Sequence, residues 1–142
     1  MAIKEEKHAS SVAIEDAGIL ILGPSGSGKS DLALRLIDSG ATLISDDQTI
    51  CRKIKNDIFL YCQKNICGKI EVRGMGIFTV PFIDNVKLKL VVMMTEKNIP
   101  RLPEPSTNFQ ILGEFLPKID ISKKDISANA KIKLKIFELN NG

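Results

Sequence analysis

The pattern of apolar and polar positions changes character along the chain. Ser11–Glu15 alternates loosely and runs into Asp16-Ala17-Gly18, a turn signal. Ile19-Leu20-Ile21-Leu22 is a continuous apolar run of strand length, the form expected of a strand buried on both faces. After the glycine-rich stretch Gly23–Gly28, the apolar positions Leu32, Ala33, Leu36 and Ile37 recur at helical spacing. They predict a helix over Lys29–Asp38, with Gly40 as its stop. Thr42-Leu43-Ile44-Ser45 reads as a second strand, ending at Asp46-Asp47. Strand, glycine loop, helix and strand open an α/β unit. Beyond it, Ile58–Tyr61, Ile70–Val72, Ile77–Val80 and Leu88–Met94 are short β-rich runs divided by Gly, Asn, Asp and Pro. Pro100, Pro103 and Pro105 make Ile99–Pro105 an irregular loop. Lys131–Ile136 alternates Lys with Ile or Leu, which predicts a half-exposed final strand with a solvated lysine face. The reading is one α/β domain over residues 1–142, sheet-rich after its first helix.

Composition narrows the function classes. Lys plus Arg number 20 and Asp plus Glu 17, a net charge of +3 that is too small and too interleaved to argue for nucleic acid. Aromatic residues are 5% with no Trp, so stacking platforms for single strands are not expected. The apolar runs Ile19–Leu22 and Leu90–Met94 fall far short of the roughly 20 residues that span a bilayer. The charged stretch Met1–Lys7 does not read as a signal peptide. A cytoplasmic protein without a membrane role is expected. The three cysteines, Cys51, Cys62 and Cys67, lack the two-residue spacing of zinc or redox motifs, and the expectation is free thiols in a reducing compartment.

Gly23-Pro24-Ser25-Gly26-Ser27-Gly28-Lys29-Ser30 matches the Walker A pattern in full. Glycines let the backbone turn so that successive N–H groups point at a phosphate, and the following helix sets its positive end on the same anion. Lys29 reaches the outer phosphates, and the Ser30 hydroxyl is a Mg²⁺ ligand in such loops. Asp46 and Asp47 stand at the carboxyl end of a predicted strand, where ligands gather in α/β sheets. A strand adjacent to the loop strand would deliver them beside it. One carboxylate could hold Mg²⁺ and the other accept a proton, or the pair could be a turn-forming acidic closure. Glu71-Val72-Arg73-Gly74-Met75-Gly76-Ile77 reads either as strand, tight turn, strand, or as a site wall. In the second reading Glu71 and Arg73 share a face and Arg73 neutralises a transferring phosphoryl group. His8 alone reads as a surface histidine.

Together these blocks resemble the catalytic domain of HPr kinase/phosphorylase. The residues that carry the resemblance are His8 with Ala9-Ser10-Ser11-Val12, the loop Gly23–Ser30, the pair Asp46-Asp47, and Glu71–Ile77, the last being similar to that family's own signature. The resemblance implies a P-loop kinase fold in the style of the PEP carboxykinase-like proteins. It implies a protein-serine kinase that uses ATP and Mg²⁺ to phosphorylate the phosphocarrier protein HPr, with a reverse reaction that uses inorganic phosphate and yields pyrophosphate. It implies a homo-oligomer. On this resemblance Asp46 is the base that deprotonates the target serine, Asp47, Ser30 and Glu71 serve Mg²⁺, and Lys29 with the loop amides holds the β-phosphate. His8 tunes the aspartate pair and Arg73 shapes the site. The length leaves no room for the separate N-terminal domain of full-length members, and their basic, glycine-containing segment after the sheet is not recognisable. Two other readings of the same loop are a P-loop kinase for a small molecule, and a nucleotide-sensing module that performs no transfer.

Overall fold

The computed structural model describes residues 3–103 and 108–141. In chain order its elements are β1 (Lys4–Lys7), β2 (Ser10–Ile14), β3 (Ala17–Leu22), α1 (Lys29–Asp38), β4 (Thr42–Ser45), β5 (Thr49–Ile54) and β6 (Asp57–Cys62). There follow β7 (Lys69–Val72), β8 (Gly76–Thr79), β9 (Val86–Met94), β10 (Asn108–Ile111), β11 (Glu114–Ile121) and α2 (Ala128–Asn141). One large mixed sheet runs β1-β5-β6-β9-β3-β2-β4, with the β10–β11 pair joined to β9 through β11, and β7–β8 forms a hairpin of its own.

The apolar run 19–22 is continuous because β3 is buried on both faces. Ile19 and Ile21 pack under α1 and α2 with Leu32, Leu36, Val92 and Ile132. Leu20 and Leu22 face the opposite cluster with Ile44, Leu60 and Val91. β9 is parallel to β3, and the register slips between Gly18↔Leu88 and Ile19↔Leu90. That bulge places one extra residue, Lys89, in β9. The other edge of β9 is shared: its start pairs with β6 and its end, Val91–Met94, with β11.

Helix α1 forms over the predicted residues. Leu32, Ala33 and Leu36 are buried on the sheet, each large side chain contributing roughly 1.5–3 kcal/mol of burial. The helix ends where Gly40 takes φ 113° and its N–H bonds the Ile37 carbonyl.

Two expectations are corrected. Lys131–Ile136 is not a strand but part of helix α2. Ala128, Ile132 and Ile136, four residues apart, are the buried positions, and Leu139 packs beside them. Leu134, which supplied the apparent alternation, is 69% exposed. Asp125 starts the helix: its carboxylate accepts from the Ser127 N–H at 2.8 Å and from Lys131 Nζ. The Lys131 hydrogen bond holds that carboxyl below its ordinary 3.8. Residues 99–103 carry no helix or strand, and the rest of the proline-rich stretch lies outside the described residues. Strands β1, β5, β10 and β11 carry no prediction from the pattern.

The second correction concerns the cysteines. Cys62 and Cys67 are disulfide-bonded, their Cα atoms 5.3 Å apart. A 3₁₀ turn over Lys64–Ile66, capped by the Gln63 side chain, folds the five-residue separation into bonding range. Cys51 is free and buried, and burial pushes its thiol up to about 12. Under denaturing, non-reducing conditions one thiol per chain should therefore react with a disulfide reagent, and in the folded chain at pH 8 none. Three reactive thiols on denaturation would show the bridge absent.

Candidate functional site

Strand β3 ends at Leu22, and the chain turns at once into the glycine loop. Gly23, Gly26 and Gly28 all have positive φ, 148°, 78° and 99°. A side chain at Gly23 would also meet Ser27 Oγ at 2.6 Å and Met94 at 2.8 Å, and one at Gly28 would meet the Cβ of Lys123 at 2.9 Å. Only glycine combines that backbone with that closeness. Gly28 is the N-cap of α1, so Lys29 and Ser30 are its first residues. Lys29 is 7% exposed and donates to the carbonyls of Gly23 and Pro24 at 2.8 and 3.1 Å, lying across the loop it serves. Ser27 Oγ is buried without a hydrogen-bond partner.

The carboxylates arrive by a route the pattern did not reveal. β4 is not adjacent to β3; β2 lies between them, antiparallel to both. A tight turn at Glu15-Asp16 makes the hairpin that interposes it, and Ala17 and Gly18 of the sequence-read turn already lie in β3, paired with Ile14 and Ala13. The two aspartates then diverge. Asp46 is buried, 5% exposed. Its Oδ1 accepts from the Ser30 hydroxyl at 2.7 Å and the Ser10 hydroxyl at 2.9 Å, and its Oδ2 from the Glu71 N–H at 3.1 Å. Asp47 takes a left-handed backbone, φ 69°, which short polar side chains tolerate. That turn points it outward, with its side chain 62% exposed.

His8 pairs with Asp47, not Asp46: its Nε2 is 3.4 Å from Asp47 Oδ1. Its Nδ1 lies 3.2 Å from Gln48 Nε2. An amide nitrogen can only donate, so Nδ1 accepts and Nε2 carries the proton toward Asp47.

One cavity of about 1150 Å³ collects these groups. His8, Asp47, Ser25, Gly26, Gly28, Lys29, Ser30, Glu71 and Arg73 line it, while Asp46 stands behind Ser30. Glu71 comes from the end of β7 and Arg73 from the turn to β8, where Gly74 and Gly76 have φ 82° and 108°. Gly23, Pro24 and Ser27 belong to the loop but not to this wall.

Three contributors escaped the sequence reading. Ser10 donates to Asp46 and accepts the Asp47 N–H at 3.2 Å, tying the two aspartates together. Its signal was a serine in a buried strand beside His8. Lys123 and Lys124, in the turn before α2, line the same cavity, with Lys123 packed against Gly28 of the phosphate loop. Nothing in their neighbourhood reads as a motif.

Fold and loop define a sheet-rich α/β domain of the P-loop kinase class. Residues 1–133 match the family model described as HPr Serine kinase C-terminal domain, and the chain belongs to that family. Among curated relatives, the HPr kinase/phosphorylase of Mycoplasmopsis pulmonis is 35% identical over 84% of this chain and 43% of its own length. That of Chlorobium limicola is 31% identical over 84% of this chain and 40% of its own. The chain thus spans less than half the length of these relatives. The solved Hpr(Ser) kinase/phosphatase from Coxiella burnetii superposes with a TM-score of 0.81 at 25% identity, covering 94% of this chain and 95% of that one. Among the described residues, no helix is long and apolar enough to cross a membrane.

Proposed function

We propose that this chain is the catalytic domain of a cytoplasmic, homo-oligomeric protein-serine kinase that transfers the γ-phosphoryl group of ATP to HPr, and that it also catalyses the reverse, phosphorylase reaction, in which inorganic phosphate removes the phosphoryl group and pyrophosphate is formed. The observation that carries the reading is one cavity that joins the phosphate loop to an outward-facing carboxylate oriented by a histidine.

The division of labour between the aspartates is assigned from burial. Asp46 has both oxygens engaged by Ser30, Ser10 and the Glu71 N–H, so it positions rather than exchanges protons. Asp47 is the base. It takes the proton of the acceptor serine as that oxygen attacks phosphorus and the bond to the β-phosphate oxygen breaks, and it returns the proton in the reverse direction. His8 orients it. Lys29 and the loop amides hold the β- and γ-phosphates, and Arg73 with Lys123 and Lys124 lends positive charge to the transferring group.

The donor set suits Mg²⁺: a Ser30 hydroxyl fixed by a carboxylate, with the Asp47 and Glu71 carboxylates on the same wall. Among the described residues no cluster of three or more His, Cys, Asp or Glu groups makes a closed cage. A cation that keeps waters and phosphate oxygens in its shell needs none. When bound, Mg²⁺ would neutralise phosphate charge; Ser30 would hold it, with Asp47 and Glu71 as its carboxylate neighbours.

Purified chain incubated with γ-labelled Mg-ATP and HPr should place label on a serine of HPr, and Lys29→Ala should abolish it. Nucleotide binding without label on HPr would instead favour a sensing module.

A further inference from the structure

His8 and Asp47 are both largely exposed, and their contact of 3.4 Å is long. An exposed pair of that kind does not by itself hold a ring in one orientation. Among the described residues, the other hydrogen bond to the imidazole comes from Gln48, whose Nε2 lies 3.2 Å from Nδ1.

Gln48 is held through its own backbone. Its N–H donates to the Asp46 carbonyl at 2.7 Å, and its carbonyl accepts from the Ser45 hydroxyl. The first of these bonds, with φ 69° at Asp47 between its ends, closes a γ-turn of positive φ, the rare and strained form. Such a turn persists where its surroundings over-determine it. The Ser10 hydroxyl, which accepts the Asp47 N–H at 3.2 Å, supplies a further tie. One turn therefore throws Asp47 outward and fixes the point from which the Gln48 amide reaches back to His8. Gln48 does not line the cavity, so it stands behind the histidine rather than on the wall.

The two partners of the ring together set its tautomer. An amide N–H₂ only donates and a carboxylate only accepts. The hydrogen bond made by one ring nitrogen decides which nitrogen carries the proton. With Nδ1 accepting from Gln48, Nε2–H is directed at Asp47 Oδ1, and Oδ2 is the oxygen left for the acceptor's proton. We propose that Gln48 is a positioning residue for the transfer: by donating to His8 Nδ1 it holds the ring in its Nε2–H form, and so selects Oδ2 of Asp47 as the oxygen that takes the proton. This rests on the reading of Asp47 as the base and extends it to a residue outside the cavity.

His8 is the single histidine of the chain, so its ring-nitrogen NMR signals are unambiguous. At about pH 9, above the ordinary imidazole range, the parent is expected to show a pyrrole-type Nε2 and a pyridine-type Nδ1. Gln48→Met keeps the side-chain length and both backbone bonds while removing the donor, and it should give a mixture of tautomers. Gln48→Glu, whose carboxylate only accepts, should put a proton on Nδ1. In single-turnover transfer to HPr at saturating Mg-ATP, Gln48→Met is expected to be about tenfold slower, the scale of a small loss of orientation, with ATP affinity within about twofold of the parent. In an Asp47→Asn background the same change should cost less than about twofold, because it acts through that carboxylate. A parent with its proton on Nδ1, an unchanged tautomer in folded Gln48→Met, an unchanged rate, or the full loss repeated in the Asp47→Asn background would each overturn the inference. Those outcomes leave the Asp47 reading standing. Asp47→Asn that transfers at the parent's rate would overturn that reading and the inference with it.

Discussion

Asp47→Asn is expected to leave the chain folded and nucleotide-bound while slowing transfer to serine by about 10²–10⁴-fold, the range a positioned general base supplies. The substitution is mild in every other respect. Asn tolerates the left-handed backbone that Asp47 adopts. The contact it weakens is an exposed pair with His8 at 3.4 Å, worth on the order of 0–1 kcal/mol. The thermal midpoint should therefore match the parent within error, and the loss should appear in single-turnover transfer at saturating Mg-ATP, where any weaker hold on the cation is compensated. A rate near the parent's would remove Asp47 from the chemistry and return the proton to Asp46.

Asp46→Ala should behave in the opposite way, with its first effect on the fold. The alanine leaves the hydroxyls of Ser10 and Ser30 and the Glu71 N–H without their common acceptor. Hydrogen bonds to a charged group contribute about 1.5–3 kcal/mol each but do not add in full. A loss of about 3 kcal/mol is expected, or roughly 10 °C in melting temperature for a domain of this size. Denaturant unfolding of Asp46→Ala beside Asp47→Asn separates the two roles. Equal stability of the variants would mean that the buried network carries little.

The elements around the phosphate loop were legible because each obeys one local rule. The run 19–22, the helix at 29–38 and the strand at 42–45 have unambiguous periods, and the Walker spacing lies within a single turn. What was hidden depends on pairing between distant segments. The insertion of β2 between β3 and β4 cannot be read from either strand, yet it brings Ser10 to Asp46. The opposite orientations of Asp46 and Asp47 follow from one positive φ in a non-glycine residue, for which two adjacent aspartates give no sign. Lysine interleaving in Lys131–Ile136 imitated a two-residue period while the buried subset kept a four-residue one. The bridge between Cys62 and Cys67 depends on a 3₁₀ turn that no spacing rule anticipates.

The parallel pairing of β3 with β9 bears on how the site comes into being. Leu22, the last strand residue before the phosphate loop, is in register with Met93, and Gly23 is held within van der Waals reach of Met94. The contact closes a loop of about seventy residues, so it carries a closure entropy that a local hairpin does not. During synthesis the Walker segment is among the early residues to emerge. It gains its fixed shape only after Met94 has left the ribosome, and the capacity to grip phosphate is acquired late, in one cooperative event with the central sheet.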